Sequence, residues 1–413
     1  MAGPEGGEKG VGAETPKIEI RLCRAAGNSA WLSGCTALQS SFLKVLDQEK
    51  FDRIVRHARQ TNPFYRDFIP QGGPVPLLTR AILQANNDAI LNGHAVTART
   101  SGSTGTPVRI ASTPERARME HSDTALFLDW MGGPLPRTSI IHPRSPAGAD
   151  PIVPVLTPVA EQIAILQENH RTKGATAIIT YPSNAVLLSE AILGANLDFR
   201  FIRRLGLISE SIDPGQQALF RRAFPSAVQW SSYSAMEVGV ITYQCPHEPE
   251  FHHVMGHKLA VEILDETGAD CPPGRIGRIV LTDYYNTAMP FIRYEIGDLA
   301  AFGHCPCGKI PLPALRDILG KVRGCLRHRD GRLVPFIDLS VALRDLPGMR
   351  QYQVIQEQLD FFTVKVASTR PLAAEIAAAF EAEFGYTPHL EIQPVASIER
   401  DPSGKFYASI CRV

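Results

Sequence analysis

The sequence predicts a two-domain α/β protein: a large layered N-terminal domain with a β-rich part over residues 17–319, and a small α+β C-terminal domain over residues 320–413. Three observations predict it. Short apolar strands alternate with helix-like stretches between Ser139 and Phe224. The pattern then changes, between Gly256 and Asp298, to strand segments broken by turns such as Glu266-Thr267-Gly268. Beyond Gly320 a new strand, helix and strand series begins. A chain of 413 residues is long enough to bury large cores.

Taken in order, residues Met1 to Pro16 are rich in Gly, Glu and Ala with no large apolar residue besides the initiator Met, so a disordered tail is expected there. From Ala37 to Gln60 apolar residues recur at helical spacing (Leu38, Phe42, Val45, Leu46, Phe51, Ile54, Val55), which predicts an amphipathic helical region ending before Asn62-Pro63. Ser139 to Ile141, Ala177 to Thr180 and Leu205 to Ile208 read as strands; Ala185 to Ala195 and Pro214 to Phe224 read as helices. Leu259 to Leu264 and Arg278 to Thr282 are the strands of the β-rich part. In the C-terminal domain, Gln353 to Ile355, Phe361 to Val366 and His389 to Ile392 read as strands, with a helix over Leu372 to Phe384.

Composition excludes several functions. Lys plus Arg equals Asp plus Glu, at 42 each, so no global field draws nucleic acid or an acidic membrane. No apolar run approaches the ~20 residues needed to span a bilayer, and no signal-peptide pattern opens the chain; a cytoplasmic protein is expected. Eight cysteines in this length fit reduced thiols better than a disulfide framework.

The sharpest local signal is Thr100-Ser101-Gly102-Ser103-Thr104-Gly105-Thr106-Pro107, eight small, hydroxylated or turn-forming residues without a charge. Glycines let backbone approach an anion and hydroxyls donate to it, so the loop suits a phosphate. Strand-like Ala95 to Ala98 and Val108 to Ala111 flank it, which makes it a hairpin tip. It is not a Walker A loop, because no Gly-Lys-Ser/Thr closes it and no helix clearly follows. Three further segments carry chemistry. Ser231 to Glu237, after a strand-like Ala227 to Trp230, ends in a carboxylate suited to a divalent cation or to a helix cap. Pro290 to Asp298 sets an Asp after a Gly turn at a strand end, where it can grip ribose hydroxyls or form the turn. Arg400 to Phe406 puts Lys405 at the tip of a Pro/Gly turn, from which an ammonium can enter an anionic site.

In this order, a Ser/Thr/Gly loop, Tyr233-x-x-x-Glu237, Arg293-Tyr294-x-x-Gly297-Asp298, Gly320-Lys321-Val322-Arg323 and Ser403-Gly404-Lys405 resemble the adenylate-forming enzyme superfamily. Within it, His57 to Tyr65 and the Pro74 to Leu83 segment make the chain most similar to the phenylacetate-CoA ligase-like branch, from about Phe51 to the C-terminus. The resemblance implies ATP-dependent activation of a small carboxylic acid as an acyl-adenylate, with Mg²⁺ and release of pyrophosphate. Acyl transfer to CoA then follows, or, alternatively, transfer to a carrier-protein thiol or an amine. A degenerate nucleotide-binding homologue without catalysis is the non-enzyme alternative. By the same resemblance Ser101, Gly102, Ser103, Thr104, Gly105 and Thr106 hold phosphates, and Glu237 binds Mg²⁺. Tyr233, with Ser234 beside it, stacks on adenine; Asp298 takes the ribose; Ser209 and Glu210 lie by the adenine and acyl pockets; Lys405 is the catalytic lysine. Arg323 stands at the hinge position, where an Asp is usual, and Met236 stands where a phosphate-contacting Thr is usual. The implied small domain rotates between the two steps.

Cys305-Pro306-Cys307-Gly308, with Cys245 upstream and His247, His252 and His253 near it, has the residue types of a Cys₃His zinc site. Some members of the resembled branch carry one here; counting from Val261-Glu262 puts their histidine on His253, with His252 as the alternative, and His304, adjacent to Cys305, is a more distant candidate. Four protein ligands make such a zinc structural.

Overall fold

The computed structural model describes residues 44–100, 107–133, 136–142, 152–210, 212, 214–265, 267–318, 325–399 and 407–413. The phosphate-type loop 101–106, Arg323, Lys405 and the N-terminal tail lie outside them. The described residues open with strand β1 (Lys44–Val45) and helices α1 (Gln48–Thr61), α2 (Pro63–Phe68), α3 (Arg80–Ala85) and α4 (Asn87–Leu91). The hairpin β2 (Ala98–Arg99) and β3 (Arg109–Ile110) comes next, then α5 (Pro114–Trp130). The layered part follows as β4 (Thr138–Ile141), β5 (Ile152–Val153), α6 (Val159–Lys173), β6 (Ala177–Thr180), α7 (Pro182–Gly194), β7 (Arg204–Ile208) and α8 (Pro214–Ala223).

Seven strands continue the sheet: β8 (Val228–Ala235), β9 (Gly239–Gln244), β10 (His252–Val254), β11 (Leu259–Leu264), β12 (Gly277–Asp283), β13 (Tyr294–Gly303) and β14 (Ala314–Arg316). After them stand the β15 (Cys325–Arg327) and β16 (Leu333–Pro335) hairpin, α9 (Ile337–Arg344), β17 (Met349–Gln358), β18 (Phe361–Ser368), α10 (Ala373–Phe384), β19 (His389–Pro394) and β20 (Ser409–Cys411).

One twelve-stranded sheet, in the order β1-β11-β12-β13-β14-β10-β9-β8-β7-β6-β4-β5, organises residues 44–316. Strands β5, β4, β6, β7 and β8 run parallel, and the rest pair antiparallel. Parallel strands need helical crossovers that cover their faces. Accordingly Ile178, Leu205 and Leu207 are buried with Leu188, Phe220 and Phe224 of α7 and its neighbours. The N-terminal helices pack on the antiparallel half through Ile54, Tyr65, Leu83 and Ile90 against Val261, Ile279 and Tyr294. A separate four-stranded sheet, β19-β18-β17-β20, has its own apolar cluster around Phe362, Val364, Ile376 and Phe380. Among the described residues no helix is long and apolar enough to cross a membrane.

The structure amends four local expectations. Residues 37–43 of the expected helical region lie outside the described residues; the helix in the rest of it starts at Gln48, because Asp47 caps it by accepting from the Lys50 amide at 3.1 Å, and Lys44–Val45 ahead of it pairs with β11 instead. A helix does follow the phosphate-type hairpin. Thr113 caps α5 and Pro114 opens it, but buried Arg116 and Asp123 sit on its inner side and blur the apolar period. Ser231 to Ala235 lie inside β8, not after it. Asp298 lies within β13, one residue past Gly297 (φ 85°), where β13 shifts register against β12.

Gly206 of β7 pairs in register with Trp230 of β8. A Cβ there would lie 2.5 Å from Trp230 Cζ2 and 3.0 Å from Ile179 Cγ1, so the indole has room only over a glycine. Gly206→Ala is expected to destabilise the protein by about 1–3 kcal/mol. Urea unfolding measures it.

Candidate active site

Residues far apart in sequence converge where β8 ends and β13 begins. The Pro74 to Arg80 stretch runs beside β13: the Leu78 amide donates to the Arg293 carbonyl at 2.9 Å, and the Glu295 amide donates to the Leu78 carbonyl at 3.0 Å. That pairing delivers Arg80, the first residue of α3, to Glu237 just past the end of β8. Arg80 Nη1 donates to Glu237 Oε1 at 3.0 Å, and the Tyr294 hydroxyl donates to the same oxygen at 3.1 Å. Arg80 Nη2 reaches Thr100 Oγ1 at 3.4 Å, and that oxygen also accepts from the Val108 amide at 2.9 Å across the mouth of the β2–β3 hairpin. A single guanidinium thus touches the acidic segment and the base of the phosphate-type loop, while Tyr294 of the Arg-Tyr-x-x-Gly-Asp turn shares its carboxylate oxygen. Glu237 is 4% exposed, so its charge is held by these donors and not by water.

The second junction joins the same two strands. Tyr233 donates its hydroxyl to Asp298 Oδ2 at 2.5 Å. Burial first, then the Asp298 charge, push the Tyr233 phenol well above its ordinary pKa, so it is a neutral donor at any physiological pH. Burial pushes Tyr294 up as well, with the Glu237 charge adding to it. Ser234 is exposed and pairs with Val240 next to a register shift, and Met236 is half exposed beside Glu237.

The carboxyl ends of the parallel strands carry further polar groups. His142 follows β4 and Tyr181 follows β6; Tyr181 Oη lies 3.2 Å from His142 Nε2 with the rings edge to face. Ser209, directly after β7, has φ 68°, the left-handed region that a non-glycine residue occupies at a cost of ~1–2 kcal/mol. Ile208 pairs with Ser232, which sets Ser209 level with Tyr233. Ligands in open α/β sheets bind in this position, beyond the carboxyl ends of the strands.

On the other face of the sheet, Cys245, His253, Cys305 and Cys307 present ligand atoms that all lie within 4.8 Å of one another. Cys305 Sγ is 3.8 Å from Cys245 Sγ, and Cys307 Sγ is 3.9 Å from His253 Nε2. Tetrahedral bonds of about 2.3 Å to sulfur imply ligand edges of about 3.8 Å. His253 Nδ1 faces the Leu312 carbonyl at 3.0 Å, which fixes the proton on Nδ1 and turns the Nε2 lone pair inward. Burial pushes the Cys305 thiol up to about 12, whereas, against the effect of burial, the amides of Lys309 and Ile310 bring the Cys307 thiol below its ordinary value. His252 does not join it; its Nε2 lies 2.9 Å from Ser231 Oγ.

Glu237, Tyr233, Asp298 and the four cluster residues are marked in the sequence as candidate site residues, whereas Arg80 and Tyr294 are not. Both stand in segments already singled out for their likeness, Pro74 to Leu83 and Pro290 to Asp298. A basic residue after Thr79 and a tyrosine beside Arg293 were the available signal.

No protein-family model matches the chain. The phenylacetate-coenzyme A ligase of Thermus thermophilus is 22% identical over 384 residues, covering 81% of this chain and 83% of that protein. The solved 2-hydroxyisobutyryl-CoA ligase in its postadenylation state superposes with a TM-score of 0.67 at 17% identity, over 87% of this chain and 86% of that one. The amide bond synthetase McbA of Marinactinospora thermotolerans gives 0.54 at 19%, over 72% and 66%. These likenesses give the chain the fold of adenylate-forming enzymes and make it similar, along most of its length, to a phenylacetate-coenzyme A ligase.

Proposed function

We propose that the protein is an AMP-forming carboxylate ligase that activates a small carboxylic acid with ATP and passes the acyl group to CoA. The observation that carries this is the pair of junctions between β8 and β13, Tyr233 with Asp298 and Tyr294 with Glu237, to which Arg80 adds the phosphate-type hairpin. The reaction has two halves. A carboxylate oxygen of the acid attacks the α-phosphorus of ATP as the bond to pyrophosphate breaks. The thiol sulfur of CoA then attacks the acyl carbon, losing its proton to solvent, while AMP leaves with the electron pair of the broken bond.

Each residue has a task in that scheme. Tyr233 and Ser234 flank the adenine, and Asp298 accepts from the ribose hydroxyls. Residues 101–106 donate to the β- and γ-phosphates. Glu237 suits Mg²⁺: it is a buried carboxylate, and the donors that reach it from the described residues converge on Oε1. Bound there, Mg²⁺ supplies charge neutralisation for the departing pyrophosphate. Arg80 holds Glu237 in place. Lys405 offsets the charge that builds between the carboxylate and the α-phosphate. We assign residues 17–319 to substrate binding and 320–413 to a mobile domain that carries Lys405, with Arg323 at its hinge. ATP and CoA as substrates suit a cytoplasmic enzyme. We assign zinc to Cys245, His253, Cys305 and Cys307; when bound it ties the Cys305–Cys307 turn to β10 and supplies no chemistry.

Pyrophosphate–ATP exchange over a panel of aryl, hydroxy, fatty and amino acids tests the first half, and CoA, a carrier protein and an amine as acceptors test the second. Exchange with one acid class followed by thioester formation with CoA is expected; exchange with none refutes the reading. Lys405→Ala is expected to abolish exchange while acyl transfer from supplied acyl-adenylate survives. For Asp298→Ala, the loss of hydrogen bonds to a charged acceptor is expected to raise KM for ATP about 100-fold, which steady-state kinetics measures. Metal analysis is expected to find about one zinc per chain, and Cys305→Ser to lose it along with thermal stability.

A further inference from the structure

Helix α7 begins without a cap of its own. Tyr181 stands at its N-cap position and makes no side-chain capping bond, and Pro182 has no amide proton to cap. Glu210, which follows β7, supplies the missing acceptor from another element. Its Oε2 accepts from the Ser183 amide at 2.8 Å, and its Oε1 accepts from Ser183 Oγ at 3.0 Å. Both bonds are charge-assisted, and a carboxylate beside the first turn of a helix also meets the positive end of its dipole.

This arrangement couples two walls. Glu210 directly follows Ser209, whose left-handed φ of 68° persists only where its surroundings hold it. Ser209 stands level with Tyr233. At the other end of the bond, Ser183 lies between Tyr181, which meets His142, and Asn184, which is buried and bonded to Gln162 and Thr180. Those residues open the helix that follows β6 at the ligand-binding edge of the sheet.

We propose that Glu210 is a positioning residue: through Ser183 it locks the strained Ser209 turn beside the nucleotide to the first turn of α7 beside the acid, so that the two subsites are held in one geometry. The proposal rests on the adenylate reading of the site. It assigns Glu210 no contact with nucleotide.

The test is calorimetric titration with AMP, together with hydrogen exchange of the peptide 181–188, for wild type, Glu210→Ala, Glu210→Gln, Ser183→Ala and the double variant Ser183→Ala/Glu210→Ala. Glu210→Ala is expected to weaken AMP binding about 10-fold and to speed exchange in α7. Ser183→Ala, which keeps the amide bond, is expected to weaken AMP about threefold from a helix that AMP does not touch. Glu210→Gln retains one acceptor and is expected to fall between wild type and Glu210→Ala, which guards against loss of folding as the cause. The double variant is expected to match Glu210→Ala within about twofold, because the two residues act as one unit. Wild-type AMP affinity in Ser183→Ala, with the tenfold loss retained in Glu210→Ala, would overturn the proposal in favour of direct contact by Glu210. Faster exchange in α7 with unchanged AMP affinity in every variant would overturn it in favour of a purely structural strut. Wild-type protein that binds no AMP refutes the adenylate reading itself, and the positioning role with it.

Discussion

The shared oxygen of Glu237 is the constraint on which the rest of the site depends. A carboxylate that is 4% exposed has lost its water, and Arg80 and Tyr294 supply donors in its place from two different parts of the chain. Removing one member of such a buried pair costs about 3–5 kcal/mol, less where a partner keeps part of its surface in solvent, as Arg80 does. The pairing of Leu78 with β13 exists within this logic, since it sets the height at which Arg80 meets β8. The β2–β3 hairpin inherits its placement through Thr100.

Strands β8 and β13 serve as two rails across the antiparallel half of the sheet. Tyr233 reaches Asp298 across them on one face, and the thiol cluster gathers Cys245, His253 and the Cys305–Cys307 turn from the strands between them. On the parallel side, strain at Ser209 is answered by the two bonds from Ser183 to Glu210. The polar chemistry is therefore concentrated at strand ends, while the apolar clusters beneath supply a rigid support.

Much of this was legible in the residues. Apolar runs marked the parallel strands because both faces of those strands are covered, and the helices between them kept their period. Cys305 and Cys307 were legible from the Cys-Pro-Cys-Gly turn and Cys245 from the histidines behind it, whereas His253 was singled out among those histidines by the likeness to the branch. Arg80 was not, because the contact from Arg80 to Glu237 spans 157 positions and leaves no local pattern. Helix α5 was hidden by Arg116, which is buried against Asp283, and by Asp123, which is buried against His257 and Lys258. Charges placed inward break the apolar stripe on which periodicity depends. The sequence set Asp298 after a Gly turn at a strand end because Gly297 precedes it, yet the glycine makes a kink within a strand, and the kink aims the carboxylate at Tyr233.

The most direct measurement of the central claim, that the junction at Glu237 is the metal end of an ATP site, is ATP affinity with and without Mg²⁺ in wild type and in Glu237→Gln. The amide keeps the shape of the side chain and an acceptor for Arg80 and Tyr294 but loses the charge a hard cation requires. Wild type is expected to gain at least about tenfold in affinity on addition of Mg²⁺, and Glu237→Gln to gain none. An equal gain in both proteins would contradict the account.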